Sequence, residues 1–169
     1  MAEQLKKRPA VIKLKSKTEA IAKVSALHNK YLLAAEKELK RANAEIGDIM
    51  DDGTIYAGES PIYHTPMYLA PSDAPLLMSF NAAAEYAENL QVGDKEDFRI
   101  PEKEELQVIF DNRNKGALKG TFNLSGSNVG GWYMSFTLVN DNSSRSICFS
   151  DGSQKDMIVN ILTSVRCVR

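Results

Sequence analysis

The stretch FRIPEKEELQVIFDNRNKG, residues 98–116, predicts a strand and a helix in direct succession. Its first residues have strand character, and Pro101 then marks a helix start, because a proline in the first helical turn loses no intrahelical hydrogen bond. Leu106, Ile109 and Phe110 recur at helical spacing and are expected to face the core. A strand followed at once by such a helix indicates an α+β domain.

The sequence before this stretch predicts a second helix and a short strand. Residues 80–90, FNAAAEYAENL, are expected to form a helix capped by Asn81. Residues 51–58, DDGTIYAG, indicate a short strand after a tight turn, and residues 66–75, PMYLAPSDAP, a proline-punctuated connector with some extended character. The inner face of the helix is predicted to consist of Ala83, Tyr86, Ala87 and Leu90.

After Gly116 the signals change to turns and strands. Strands are predicted at 131–139 (GWYMSFTLV), 144–152 (SRSICFSDG) and 164–169 (SVRCVR), separated by the polar runs NDNSS and DGSQKD. The domain 47–169 is therefore expected to place its helices early and its strands late.

These segments together resemble a known family. The succession GDIMDDGTIYAG, FRIPEKEEL, GWYMSF, ICFSDG and SVRCVR resembles the bacterial and phage domains with a C-type-lectin-like fold at the C-terminus of certain collagen-like adhesins, distant relatives of the formylglycine-generating-enzyme fold. The resemblance covers residues 47–169. It implies two helices flanking a small twisted antiparallel sheet, with long late loops that recognise a ligand.

One position departs from that family. Such domains often have Thr or Ser where this chain has Glu102, and a hydroxyl there can form a capping box with an acidic residue three positions on, here Glu105. The helix start is therefore expected to rely on Pro101 and on acidic residues near the helix dipole.

Charge divides the chain near Gly47. Residues 1–45 hold 11 basic and 5 acidic side chains, so the net charge of −1 splits into +6 for this segment and −7 for the remainder. The basic segment lacks interleaved aromatic residues and any zinc-finger or basic-zipper pattern, so nucleic acid is not expected as a partner. Residues 1–17 contain Pro9 and no sustained helical period, which indicates a basic flexible arm.

Residues 18–46, TEAIAKVSALHNKYLLAAEKELKRANAEI, predict one long helix that tethers or oligomerises the chain. Thr18 is the expected N-cap, and Gly47 supplies the stop. Two readings stay open: the helix packs on its own domain, or it forms a coiled coil between subunits, for which a trimer is the expected state. An oligomerisation seam with alternating spacings of three and four consists of Leu32, Ala35, Leu39, Ala42 and Ile46, and a second stripe of Ala20, Val24, Leu27, Tyr31 and Ala34.

Length and composition exclude several classes of protein. The 169 residues, 43% apolar and 25% charged, are those of a globular chain rather than a fibrous, disordered or membrane protein. The apolar stretch 63–80 is interrupted by Pro66, Pro71 and Pro75, so no membrane insertion is expected. The N-terminus repeats positive charge without an apolar core or cleavage site, so we expect no secretory signal.

No catalytic constellation is evident in the sequence. His28 and His64 have no partners that indicate a nucleophilic triad, and GSNVGG lacks the Lys and Ser/Thr of a phosphate loop. The calcium-binding tripeptides of true C-type lectins do not occur, and the active-site cysteine pair of the formylglycine-generating relatives has no counterpart here. We therefore expect no enzyme, no cofactor and no metal.

The two cysteines, Cys148 and Cys167, lie on successive predicted strands. If those strands are neighbours, a disulfide could close a loop of 18 intervening residues and stabilise the fold by roughly 3 kcal/mol. The alternative is two reduced cysteines in the core. Trp132, at the head of a strand, is likewise read as a core residue, with a binding platform as the alternative.

The late polar loops are the predicted ligand-binding surface, because loops on a rigid scaffold commonly carry function. The alternative is that Asn, Asp, Ser and Gly are simply what hairpin turns require. Amide, carboxylate and guanidinium groups there suit a glycan or a protein, without metal. The candidate residues are Asn140, Asp141, Asn142, Arg145, Asp151, Ser153, Gln154 and Lys155.

These observations favour a non-enzymatic recognition or assembly module. The resemblance and the expected lack of a signal point to a bacteriophage virion protein: a decoration, fibre or receptor-binding accessory. Its expected partners are further copies of itself, other virion proteins, or a glycan or protein at a cell surface. The alternative is a small bacterial enzyme or ligand-binding protein of the formylglycine-generating-like fold, located in the bacterial cytoplasm.

Overall fold

A computed structural model of the chain describes residues 16–125 and 129–169. It divides into two units, one that ends at Ala42 and one over Asn43–Arg169, here called the head domain. Most of the predicted arm, residues 1–15, and the start of GSNVGG, residues 126–128, lie outside the described residues.

The first unit contributes one helix, α1, over Lys17–Ala42. The Ser16 hydroxyl accepts the Glu19 backbone N–H at 3.1 Å, so the N-cap is Ser16 and not the predicted Thr18. Among the residues that the structure describes, none in α1 is buried. The predicted long helix is thus confirmed, but it ends four residues before the expected Ile46.

The turn after α1 belongs to the head domain. Gly47 has φ +98°, donates its N–H to Tyr56 O at 2.8 Å and accepts the Ala117 N–H at 2.9 Å. A Cβ at Gly47 would lie 2.7 Å from Gly116 Cα, so only glycine fits this close backbone approach. The prediction that Ile46 belongs to the oligomerisation seam is wrong, because Ile46 lies outside the helix and packs against the head core.

The head domain is α+β, with two further helices and two small antiparallel sheets. Its elements are β1 (Ile55–Glu59), β2 (Pro66–Leu69), α2 (Phe80–Glu88), α3 (Lys103–Asn112), β3 (Trp132–Asn140), β4 (Ser143–Cys148) and β5 (Gln154–Ile158), with 3₁₀ turns at Gly116–Leu118 and Val129–Gly131. β1 pairs with β2, and the larger sheet has the order β3-β4-β5. The helices therefore precede most of the strands, as predicted.

Both head helices present the predicted faces to the core. In α2, Ala83 and Ala87 are buried, while in α3 Leu106 and Ile109 are buried and Phe110 packs against the same cluster. The cap of α2 differs from the prediction. The helix starts at Phe80 after Ser79, whose carbonyl accepts the Ala83 N–H at 2.8 Å, so the predicted cap Asn81 lies inside the first turn.

Two late segments differ from the prediction: one predicted loop contains the start of a strand, and one predicted strand does not join a sheet. The predicted loop 151–156 contains the start of β5, since Gln154 pairs with Ile147 of β4. The predicted strand 164–169 is extended, but it forms isolated bridges instead of a ladder: Val168 pairs with both Leu69 and Arg99. SVRCVR is therefore an extended segment that bridges β2 to the segment before α3, and it is not a strand of either sheet.

The two cysteines are buried and no disulfide joins them. Cys148 lies opposite Trp132 in the β3–β4 ladder, whereas Cys167 packs in a cluster with Ala70, Phe98 and Met134. Burial raises the pKa of the Cys167 thiol to about 12. Because the C-terminal segment is not the strand next to β4, the expected disulfide geometry does not arise, and the reduced-core alternative describes the structure.

Two truncations test where the head domain begins. A chain that starts at Asn43 should fold, because it keeps Ile46 in the core and Gly47 between Tyr56 and Ala117. A chain that starts at Asp48 loses that apolar burial and two backbone hydrogen bonds, so its free energy of unfolding should be lower by about 2–4 kcal/mol. Urea denaturation measures both, and equal midpoints would contradict the boundary at residue 43.

Candidate functional site

The predicted ligand-binding residues near the β3–β4 hairpin form its turn. Asp141 and Asn142 are the two exposed turn residues between the strands. The Asn140 side-chain oxygen accepts the Asn142 N–H at 2.9 Å, which stabilises the turn internally. The Asn140 side chain therefore fits the alternative interpretation, in which the polar residue stabilises the hairpin turn.

The candidates after β4 are also engaged within the chain. The Asp151 carboxylate accepts both the backbone N–H (2.9 Å) and the hydroxyl (2.6 Å) of Ser153. Gln154 donates to the Gln107 side chain of α3 at 2.6 Å. Lys155 Nζ lies 4.0 Å from the centre of the Trp132 ring, so Trp132 is half-buried beneath a cation and is neither a core residue nor an open platform.

These residues do not form one surface. Arg145, on β4, pairs with Asp156 of β5 at 3.2 Å instead of lying in a loop. The two turns lie at opposite ends of the six-residue strand β4, roughly 17 Å apart at about 3.3 Å per residue. Both turns are exposed as expected, and their role in ligand binding stays a prediction.

A different region of the head domain forms a cavity of about 220 Å³. Four parts of the fold enclose it: α2, the extended segment before α3, the loop between β1 and β2, and β3. Its lining residues are Tyr63, Ala84, Ala87, Glu88, Phe98, Arg99, Ile100, Glu102 and Phe136. We take this cavity as the candidate site.

A buried carboxylate organises one side of the cavity. Glu105, whose side chain is fully buried, accepts hydrogen bonds from both terminal nitrogens of Arg99 at 2.6 and 2.7 Å. It also accepts the Ser60 hydroxyl at 2.7 Å and the Glu102 backbone N–H at 2.9 Å. Each carboxylate oxygen of Glu105 therefore accepts two hydrogen bonds, and the Glu105 carboxylate neutralises the charge of Arg99.

The same carboxylate fixes the loop between β1 and β2. The Ser60 hydroxyl that donates to Glu105 also accepts the Tyr63 N–H at 3.2 Å. The guanidinium of Arg99 lies 5.0 Å from the centre of the Tyr63 ring. Next to it, His64 adopts a left-handed backbone with φ +53°, a conformation that costs a non-glycine residue about 1–2 kcal/mol. The surrounding bonds hold Tyr63 at the cavity in spite of this strain.

The start of α3 is capped from β3. The Thr137 hydroxyl oxygen accepts the Lys103 N–H at 2.9 Å and donates its proton to the Glu102 carboxylate at 2.5 Å. Glu102 and Glu105 also form a capping box, so acidic residues support the helix start as expected, and the lack of Thr or Ser at position 102 does not remove the box. Thr137 adds a hydrogen bond from a distant strand that the sequence did not indicate.

A register shift in β3 between Met134 and Leu138 places Phe136 at the cavity. Phe136 leaves the β3–β4 ladder and donates its N–H to Pro101 O at 2.8 Å. Its ring stacks on Phe80 with 5.6 Å between centres and stays about half exposed. Sequence reasoning missed this site because its members come from four separate segments. The one available signal was the pair Arg99 and Glu105, which flank the predicted helix start.

No family model matches the sequence, and no curated protein is significantly similar to it.

Among residues 16–125 and 129–169, no group of three or more His, Cys, Asp and Glu side chains is placed to hold a metal ion. Within the same residues, no helix combines the length and apolar content needed to cross a bilayer.

The buried carboxylate predicts an acid-sensitive fold. Burial alone would raise the pKa of Glu105, but hydrogen bonds from Arg99, Ser60 and the Glu102 backbone lower it below its ordinary 4.5. A lowered carboxyl pKa contributes stability that is present above that ordinary value and is lost as the pH falls through the folded value. The free energy of unfolding should therefore decrease below about pH 4.5.

Glu105→Gln should flatten this decrease, and it should also lower stability at pH 7, by about 2–4 kcal/mol, because Arg99 loses its charged partner. Glu104→Gln, at the exposed neighbouring position, is the matched control and should leave the profile close to wild type. Urea denaturation between pH 3 and pH 7 measures both variants. An unchanged profile for Glu105→Gln would show that this carboxylate does not hold the site together.

Proposed function

We propose that the chain is a non-enzymatic recognition module that self-associates through α1 and binds a glycan or protein surface through its head domain. The apolar surface of α1 is the observation that supports this proposal most strongly. Val24, Tyr31 and Leu39 are 67%, 68% and 63% exposed. Exposed apolar residues that follow one side of a long helix favour a partner that covers them.

The arrangement of these residues supports more than two helices in the assembly. At about 100° per residue, the seam of Leu32, Ala35, Leu39 and Ala42 and the stripe of Ala20, Val24, Leu27, Tyr31 and Ala34 lie side by side, with centres about 80° apart. A helix with two adjacent apolar stripes can contact two neighbours at once, whereas a dimer covers one. A trimer is the smallest closed assembly that does so.

The energetics of helix packing also favour self-association of α1. The helix of 26 residues is about 39 Å long, and helices in proteins gain most of their stability from the packing of an apolar face rather than from helix propensity. Each Å² of apolar surface removed from water contributes about 25 cal/mol, so association would stabilise the helix and the oligomer together. Helicity of α1 and self-association are therefore coupled in this proposal.

Recognition by the head domain is supported by the family resemblance and by the candidate site. The C-type-lectin-like fold expected from residues 47–169 is part of the proposal. Two helices, α2 and α3, beside the antiparallel sheet β3-β4-β5 agree with it. A location in a bacteriophage particle extends the proposal, with the resemblance as its support, and recovery of the chain from purified particles tests it.

Two charges on the seam should prevent self-association. Leu32→Asp combined with Leu39→Asp places carboxylates where helices would meet, so the variant should sediment as a monomer and lose helicity at concentrations where wild type is a trimer. Analytical ultracentrifugation and far-UV circular dichroism measure the two effects.

Leu33→Asp is the matched control. Leu33 is exposed like Leu32, but it lies on the opposite side of the helix from both stripes, so this variant should keep the wild-type oligomeric state. A monomeric wild type at micromolar concentration, or equal effects of the two sets of variants, would contradict the proposed interface.

A further inference from the structure

We propose that the cavity of the head domain binds an alkylammonium group, carried either by a lysine side chain of a partner or by a small free amine. This inference names the ligand class of the recognition module and rests on the proposed function. Three features of the described residues support it: the size of the cavity, the composition of its walls, and the charge around it.

The cavity has the size of one side chain. Its volume of about 220 Å³ lies below the roughly 300–1,000 Å³ of pockets that enclose drug-sized ligands. A whole sugar chain or a nucleotide does not fit such a space. A single linear or aromatic group, presented on a larger surface or as a small molecule, does.

The walls suit an apolar stem that ends in a cation. Ala84, Ala87 and Ile100 supply small aliphatic surface, which favours a methylene chain. Tyr63 and Phe136 are about half exposed and add two aromatic rings, each with one face already in contact: Arg99 lies over Tyr63, and Phe136 stacks on Phe80. Aromatic faces attract ammonium and quaternary ammonium groups within about 6 Å. The aliphatic walls and the aromatic rings of the cavity together therefore favour an amine over a neutral alcohol of the same length.

The charge around the cavity favours a cation over an anion. Arg99 is the lining guanidinium, and its two terminal nitrogens are bound to Glu105, so its charge is cancelled locally. Glu88 and Glu102 add two lining carboxylates, so the lining carries more negative than positive charge. Residues 81–105 hold eight acidic and three basic side chains, a net charge of −5, so a carboxylate or phosphate ligand would meet repulsion there.

Glu88 is the lining carboxylate best suited to a test. It is exposed on α2, and its substitution leaves the Glu102–Thr137 cap and the Arg99–Glu105 pair intact. Glu85 is a matched control, because it is an exposed glutamate on the same helix that does not line the cavity. Glu88→Gln and Glu85→Gln change the net charge of the chain equally.

The experiment is saturation-transfer NMR on the full-length protein with four probes. Nα-acetyl-lysine amide and n-butylamine carry the charge, and Nα,Nε-diacetyl-lysine amide and n-butanol are their uncharged counterparts. We expect saturable binding of the charged probes only. Glu88→Gln should raise their Kd about three- to fivefold, as for an exposed ion pair, and Glu85→Gln should change it by less than about 1.5-fold.

The outcomes separate the alternatives. Tighter binding of the lysine probe identifies a protein partner as the source of the amine, and tighter binding of n-butylamine identifies a free amine; either supports the inference. Equal binding of the uncharged probes, equal effects of the two variants, or no saturable binding would overturn it. Sedimentation of the same samples reports self-association separately, so a failure of the proposed oligomer is distinguished from a failure of the amine site.

Discussion

The head domain depends on one buried ion pair, Arg166 with Asp73. The side chain of Arg166 is completely buried, and its Nε donates to the Asp73 carboxylate at 2.8 Å. Its other nitrogens donate to the backbone oxygens of Thr121 (2.6 Å) and Ala70 (3.3 Å). A buried guanidinium is costly unless every donor is satisfied, so three distant segments must meet around it. Tyr133 completes the cluster: its hydroxyl donates to Asp73, and burial together with that carboxylate raises its pKa above the ordinary value.

A second ion pair, Arg99 with Glu105, repeats this arrangement at the candidate site, and the two pairs are connected through the backbone. Arg99 and Val168 exchange two hydrogen bonds, of 2.8 and 2.9 Å, which join FRIPEKEEL to SVRCVR. FRIPEKEEL and SVRCVR therefore carry the two arginines, Arg99 and Arg166, that each pair with a carboxylate of the head domain. The cavity draws its other walls from α2, β3 and the loop after β1.

Local sequence predicted the elements that depend on local chemistry. The inner faces of α2 and α3, the strand at Ile55–Glu59 and the exposed hairpin turn at Asp141 and Asn142 follow from spacing, composition and turn residues. The errors come from contacts between distant residues. Ile46 leaves the helix because the head core takes it, Thr137 caps a helix 34 positions away, and β5 forms where turn residues were expected because β4 offers an edge. The site was missed for the same reason, since no single segment contains it.

The most direct test of the central ion pair is a double-mutant cycle on Asp73 and Arg166, read by urea denaturation of the full-length chain. Asp73→Asn alone leaves a buried charge without its partner and should lower the free energy of unfolding by about 3 kcal/mol or more. Adding Arg166→Met removes that charge, so the double variant should recover part of the loss and show a coupling energy of at least about 1 kcal/mol. Losses that simply add, or a stability of Asp73→Asn within about 0.5 kcal/mol of wild type, would contradict a fold organised around this pair.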